Sequence, residues 1–132
     1  MLAAFPLLSV ALLIANVIAF GSDASFAQSI FDATLPSGGT ITITAGDCVI
    51  LTGLVLLYFE IFKATRTGAS TIADHALSLL VFVVALVQFL IMPRFAHPAF
   101  LALLLMTLID VVAGFTVTIT GARRDFSAVR AE

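Results

Sequence analysis

Four long apolar runs constrain this chain more than any other feature. They cover roughly residues 2–20, 45–63, 75–92 and 98–120. A helix needs about 20 mostly apolar residues to cross a hydrocarbon core of about 30 Å, and each run meets that length. Hydrophobic residues make up 61% of the chain and charged residues 11%, against about 45–50% and about 25% in soluble domains. The sequence therefore predicts an all-α integral membrane protein, a single four-span antiparallel helix bundle over residues 1–132.

The connections between the runs predict the layout of this bundle. Residues 21–44 form the one long connection, and in it Pro-Ser-Gly-Gly at 36–39 separates two β-prone arms. This pattern predicts a small external hairpin. Residues 44–47 and 71–74 both match the capping box that opens a helix. The link 94–97 is so short that the third and fourth runs must form an antiparallel pair.

The basic residues predict the orientation. Five of the six fall on one side if both termini are cytoplasmic, and they are Lys63, Arg66, Arg123, Arg124 and Arg130. The positive-inside bias therefore places both termini and a tail at 121–132 in the cytoplasm of a bacterial-type plasma (inner) membrane, with Lys63, Arg66, Arg123 and Arg124 as anchors. Residues 24–29 resemble a signal-peptide cleavage site, but residues 1–20 contain no Lys or Arg. The first run is therefore predicted to be a membrane helix.

Composition and motifs argue against several function classes. A net charge of −2 does not favour a nucleic-acid partner. The single cysteine, Cys48, rules out a disulfide within the chain and makes a cysteine-based metal site unfavourable. No HExxH, GxSxG or CxxC pattern occurs. We therefore expect no catalytic residues, no metal and no cofactor.

Polar and small residues inside the apolar runs are the candidate functional positions. They recur at three- and four-residue steps, so each helix is predicted to carry one inward stripe. The polar members are Asn16, Thr52, Glu60, Ser78, Gln88, Thr107 and Asp110. The small members, which let helices approach closely, are Ala11, Ala15, Ala19, Gly53 and Gly114.

The two acidic members of these stripes have different explanations. Glu60 lies one turn before Lys63, so an ion pair within the helix can satisfy it. Asp110 lies near the middle of its run, where an aspartate costs about 2.5–3.5 kcal/mol, and no cation on its own helix can reach it. It is therefore predicted to be protonated, or to bond a polar side chain of another helix or a basic residue of another chain. Its loss should disturb assembly more than the loss of Glu60. His75 is predicted to be solvated.

Two functions fit these observations. The first is an accessory or scaffolding subunit of a larger membrane complex, or a self-associating structural protein, with the lipid bilayer and other membrane chains as partners. The alternative is a small homo-oligomeric proton- or ion-coupled transporter or channel that uses Asp110 and Glu60 along a polar track. A transporter should show a mid-helix glycine or proline break, and here Gly53 and Gly114 stand singly. The external hairpin has two interpretations. It is either a plain polar loop or, because Phe26 and Phe31 are predicted to face water, a docking element for a partner.

Overall fold

The computed structural model describes residues 5–21, 25–65 and 71–129, and within them the chain forms four helices and one two-stranded sheet. The helices are α1 (Leu8–Phe20), α2 (Ala45–Ala64), α3 (Thr71–Ile91) and α4 (Pro98–Val129). The strands β1 (Ser29–Thr34) and β2 (Thr40–Thr44) lie between α1 and α2, and a 3-10 turn, Pro93–Phe95, joins α3 to α4. The predicted mostly helical fold with a small hairpin is confirmed.

Three of the helices are long and apolar enough to cross a membrane, judged by length and composition. The candidate spans are Ala45–Ala64, Ala73–Ile91 and Pro98–Gly121, with mean hydropathies of 1.8, 2.1 and 2.3. They agree closely with the predicted runs and indicate a membrane protein. Helix α1 has 13 residues, or about 20 Å of rise. The described residues thus give three candidate spans and one shorter apolar helix, where four spans were predicted.

The start of α1 corrects the predicted range of 2–20. The helix begins at Leu8, and residues 2–4 of the prediction lie outside the described part of the chain. Proline restricts the residue before it and lacks an N–H, so a helix does not continue through Pro6 without a kink. Instead, the Pro6 carbonyl accepts hydrogen bonds from the Ser9 N–H at 3.1 Å and the Ser9 hydroxyl at 2.6 Å.

The C-terminal tail also differs from its prediction as a segment separate from the fourth helix. Helix α4 continues past Gly121 to Val129, and residues 130–132 lie outside the described ranges. A glycine inside a helix costs about 1 kcal/mol relative to alanine, and a single glycine is therefore not enough to end the helix. The next residues contain no proline, so nothing in the local sequence ends the helix before Val129.

Local sequence explains the hairpin and the start of α2. Gly38 has φ 83°, a left-handed conformation that favours glycine in the turn between the strands. The predicted box at 44–47 is confirmed, because the Thr44 hydroxyl accepts from the Asp47 N–H while the Asp47 carboxylate accepts from the Thr44 N–H. The predicted box at 71–74 stays a prediction, because the residues directly before Thr71 lie outside the described ranges.

The two ends of the helix bundle differ in which residues they bury. Helix α4 packs against both α2 and α3, and α1 packs mainly against α2. At the end that carries the strands, which we call the hairpin end, Phe95 and Phe100 are fully buried with ring centroids 4.4 Å apart. Phe26, predicted to face water, is buried there and stacks on His97 at 5.3 Å. The opposite end, where α2 finishes and α3 begins, is called the network end below.

Candidate functional site

Five polar side chains from three helices meet towards the network end and form what we call the charge network. They are Glu60 and Lys63 on α2, Asp74 and Ser78 on α3, and Asp110 on α4. The three acidic residues are only 1–7% exposed. Charged groups in a bilayer are tolerated when they face protein and pair with one another, and Glu60, Lys63 and Asp74 do both.

Lys63 lies at the centre of the charge network. Its Nζ is 2.7 Å from Glu60 Oε2 and 2.8 Å from Asp74 Oδ1, so one ammonium serves two carboxylates. The pair with Glu60 follows from their spacing of three residues on one helix. The pair with Asp74 arises because antiparallel packing sets the first turn of α3 beside the last turn of α2. Lys63 was predicted to be a cytoplasmic anchor, and it is instead turned into the bundle, with its side chain 20% exposed.

The same two α2 residues also hold the segment before α1. Glu60 Oε1 accepts a hydrogen bond from the Leu7 N–H, and Lys63 Nζ donates to the Phe5 carbonyl at 2.9 Å. Leu7 precedes the first residue of α1 and has no side-chain cap of its own. The N-terminus of a helix leaves free N–H groups and favours a negative charge. Glu60 therefore caps α1 from a neighbouring helix and satisfies a backbone N–H at the start of α1.

Asp110 has its partner inside the same chain. The Ser78 hydroxyl of α3 donates to the Asp110 carboxylate, and Lys63 is near enough to act on it electrostatically. Asp110 is 6% exposed. A second chain could not reach this carboxylate without opening the bundle. The geometry thus favours a bond to another helix of the same chain over contact with a basic residue of another chain.

The remaining predicted polar residues do not join the charge network. Gln88 Nε2 donates to Asn16 Oδ1 at 2.8 Å, which links α3 to α1 nearer the hairpin end. Thr107 bonds its own helix, donating to the Leu104 carbonyl at 2.7 Å. Thr52 is half-buried on α2. The predicted track from Asn16, Gln88 and Thr52 through Thr107 and Asp110 to Glu60 and Ser78 stays a prediction, since Asn16 and Gln88 bond each other and Thr107 bonds its own helix.

Apolar side chains occupy the turns between the two polar groups. Ala85 on α3 lies between Gln88 and Ser78, and it is fully buried. Leu103, one turn before Thr107 on α4, is also fully buried. Both belong to the same apolar core as Leu12 of α1. The structure thus brings five of the seven predicted polar residues together in two separate clusters, while Thr52 and Thr107 join neither.

The predicted small residues lie at close helix contacts. Ala11 and Ala15 are fully buried, and Ala19 is partly buried against the same core. A Cβ added to Gly53 would come within 2.7 Å of Met106 Sδ, so α4 approaches α2 closely there. Of the predicted anchors other than Lys63, Arg123 is exposed, Arg124 belongs to α4, and Arg66 lies outside the described residues.

His75 is a site residue that the sequence reasoning missed. It was predicted to be solvated, and it is 7% exposed, with Nε2 at 2.9 Å from Thr118 Oγ1. The Thr118 hydroxyl also donates to the Gly114 carbonyl at 3.0 Å, and with its hydrogen used there it accepts from the His75 tautomer that carries a hydrogen on Nε2. Gly114 makes the room, because a Cβ there would lie 2.4 Å from His75 Nδ1.

We expect Gly114→Ala to destabilise the bundle by about 1–3 kcal/mol, the usual cost of overpacking a filled core. The new methyl group would displace the His75 ring and break its bond to Thr118. The free energy of unfolding, measured by circular dichroism in mixed micelles, checks this. The double variant His75→Ala with Gly114→Ala should be less destabilised than the two single effects predict when added. Additive effects would contradict the contact.

The described residues offer no obvious metal centre. Within residues 5–21, 25–65 and 71–129, no three histidine, cysteine, aspartate or glutamate side chains are grouped so as to hold a metal ion. The charge network is thus a set of ion pairs and hydrogen bonds that links helices. Comparison with protein families, with curated proteins and with solved structures finds no match for this chain.

Proposed function

We propose that this chain is a small multi-pass membrane protein with a structural role, either as an accessory or scaffolding subunit of a larger membrane complex or as a self-associating protein. The observation that supports this is the charge network. Glu60 and Asp74 share Lys63, Asp110 has Ser78, and Glu60 also caps α1. The groups that could carry chemistry are thus used to cross-link the fold, and the proposal includes no catalytic step.

The outer faces of the helices supply the surface for assembly in this proposal. On α2, Leu54, Val55, Tyr58 and Phe59 are all between 49% and 66% exposed. Helix association inside a bilayer depends on close packing and polar contacts, since lipid tails are as apolar as leucine. Tyr58 combines a flat apolar ring with a hydroxyl group, and its ring meets that of Phe59 edge to face at 5.4 Å. Such a ridge can pack against lipid or a second helix.

The membrane and the orientation belong to the same proposal. If both termini face the cytoplasm, four basic residues lie on that same side, namely Lys63, Arg66, Arg123 and Arg124. Arg94 then lies on the opposite side of the membrane. Lys63 is turned inward by its ion pairs. The remaining bias still favours both ends inside a bacterial-type plasma membrane.

The native mass of the particle tests the structural role. The chain should be extracted from its own membrane at natural abundance in a mild detergent and weighed by native mass spectrometry. We expect a particle heavier than one 13.9 kDa chain, either a homo-oligomer or a complex of this chain with other proteins. The variant Tyr58→Ala should weaken the particle more than Leu105→Ala on the exposed face of α4. A single chain with only lipid bound would contradict the proposal.

A second candidate, proton- or ion-coupled transport, is favoured by the charge count of the network. Two buried carboxyl groups share one lysine, and the third, Asp110, has only the Ser78 hydroxyl, so not every acid has a cation to itself. Buried acids of this kind are common in proton relays. In liposomes, a proton or cation flux that Asp110→Asn abolishes and the hairpin variant Asp32→Asn leaves unchanged would support transport. A wild-type flux no greater than that of empty liposomes would rule it out and leave the structural role.

A further inference from the structure

The β-hairpin has one apolar face and one polar face. Antiparallel partners share a face, and Phe31 pairs with Ile43 while Ala33 pairs with Ile41. The opposite face carries the pairs Asp32–Thr42 and Thr34–Thr40, and the Thr42 hydroxyl donates to Asp32 Oδ1 at 2.6 Å. Phe31 is 60% and Ile41 43% exposed. The apolar face therefore has no full cover among the described residues.

The hairpin is held rigidly on the end of α2. Strand β2 ends at Thr44 and the helix begins at the next residue, Ala45. The N–H of Ala45 donates to the Gln28 carbonyl at 2.8 Å, and the N–H of Gly46 donates to the Phe26 carbonyl at 2.8 Å. These bonds fix how the strands tilt against the helix axis. The apolar face thus keeps a set direction relative to α2.

A groove joins the apolar face of the hairpin to the outer face of α2. It has a volume of about 240 Å³ and is lined by Ile41, Ile43, Ile50 and Leu51, together with Thr42 and Asp47. Leu51 is 54% exposed and lies about 9 Å along the helix from Ala45. The exposed apolar surface of the candidate span therefore continues onto the hairpin through a groove in which four of the six lining residues are apolar.

Depth identifies the surroundings of this groove. Helix α2 has 20 residues, or about 30 Å of rise, which matches the hydrocarbon thickness of a bilayer. If α2 fills that thickness, Ala45 lies at its boundary and the strands lie among the lipid headgroups. An apolar face at that level is stabilised by insertion to the boundary of headgroups and acyl chains, as in interfacial segments.

We propose that the apolar face of the hairpin rests in the bilayer interface and that the groove receives the upper part of a phospholipid acyl chain. The hairpin thus binds lipid beside the start of α2. The proposal depends on the membrane location of α2 and not on the accessory role. The lipid contact can therefore fail its test while the accessory role stands, and the accessory role can fail while the lipid contact stands.

Single tryptophans test this directly, because the chain contains none. Phe31→Trp and Ile41→Trp each place a fluorescent ring on the apolar face, and Thr34→Trp places one on the polar face as the matched control. Each full-length variant is reconstituted at low protein-to-lipid ratio in phosphatidylcholine vesicles. The lipids carry bromine atoms either near the headgroup end of the acyl chain or near its terminus.

We expect the two apolar-face tryptophans to emit at shorter wavelength than the control and to lose most intensity with bromine near the headgroup end. The control should be quenched by aqueous acrylamide and little by bromine. Equal acrylamide quenching of all three variants would place the apolar face in water and overturn the proposal. A blue-shifted emission at position 31 or 41 that no brominated lipid quenches would show cover by protein, which overturns it equally.

Discussion

Replacing Lys63 by methionine should destabilise the bundle by about 3–5 kcal/mol, which is the usual cost of removing one partner from a buried ion pair. Methionine keeps much of the length and flexibility of the side chain but removes the charge. Glu60 and Asp74 would then lie buried without the ammonium that both contact at 2.7–2.8 Å. The Phe5 carbonyl would also lose its donor. Unfolding in mixed micelles, followed by circular dichroism, measures the change.

Two further variants show whether the effect comes from uncompensated charge. Arg123→Met removes a basic residue from an exposed position of α4 and should change the free energy of unfolding by less than about 0.5 kcal/mol. The triple variant Glu60→Gln, Lys63→Met, Asp74→Asn removes all three charges together. It should be more stable than Lys63→Met alone, because neutral replacement of a whole buried network is tolerated far better than removal of one partner. A triple variant less stable than the single one would contradict the charge argument.

Features set by short stretches of sequence could be predicted well. The apolar runs at 45–63, 75–92 and 98–120 agree with α2, α3 and the candidate span of α4 to within a few residues. The box at 44–47 and the hairpin turn were also predicted correctly. Each depends on residues that are neighbours along the chain, so periodicity, capping and turn chemistry are sufficient.

The ends of α1 and α4 show where averaged hydropathy fails. The run 2–20 is apolar throughout, but Pro6 and the Glu60 carboxylate define where the helix begins. The first signal was present in the sequence and its effect was underestimated. The second lies 53 residues away. The polar residues beyond Gly121 predicted the end of the fourth helix, but α4 continues through them to Val129.

Contacts between helices could not be predicted, because they depend on how far one helix is shifted along its neighbour. The spacing of residues within one helix does not provide that shift. The stripes placed Ser78 and Asp110 on inward faces, but only the antiparallel alignment of α3 and α4 sets them opposite each other. Once that pair is known, the same alignment sets His75 beside Gly114, because His75 lies about one turn before Ser78 on α3 and Gly114 about one turn after Asp110 on α4. A residue-by-residue search for small residues facing large ones would have detected this contact.

Replacing Glu60 by leucine should lower the free energy of unfolding more than replacing Asp110 by leucine, whereas the sequence predicted the larger disturbance of assembly for the loss of Asp110. Glu60→Leu removes a partner of Lys63 and the acceptor of the Leu7 N–H, so we expect a cost of about 3–5 kcal/mol. Asp110→Leu leaves only the Ser78 hydroxyl to find a new acceptor, and serine in a helix can bond the carbonyl four residues earlier. Its cost should stay below about 1.5 kcal/mol, since leucine replaces a buried polar group with an apolar one.

The conservative variant Glu60→Gln separates the two roles of Glu60. A glutamine carbonyl still accepts from the Leu7 N–H, while the charge that faces Lys63 is lost. Its stability should therefore lie between those of the wild type and Glu60→Leu. Hydrogen exchange at the start of α1 provides a second readout, because it should rise in Glu60→Leu and stay near the wild-type rate in Glu60→Gln. Fast exchange there in Asp110→Leu, with slow exchange in Glu60→Leu, would show that the cap of α1 does not depend on Glu60.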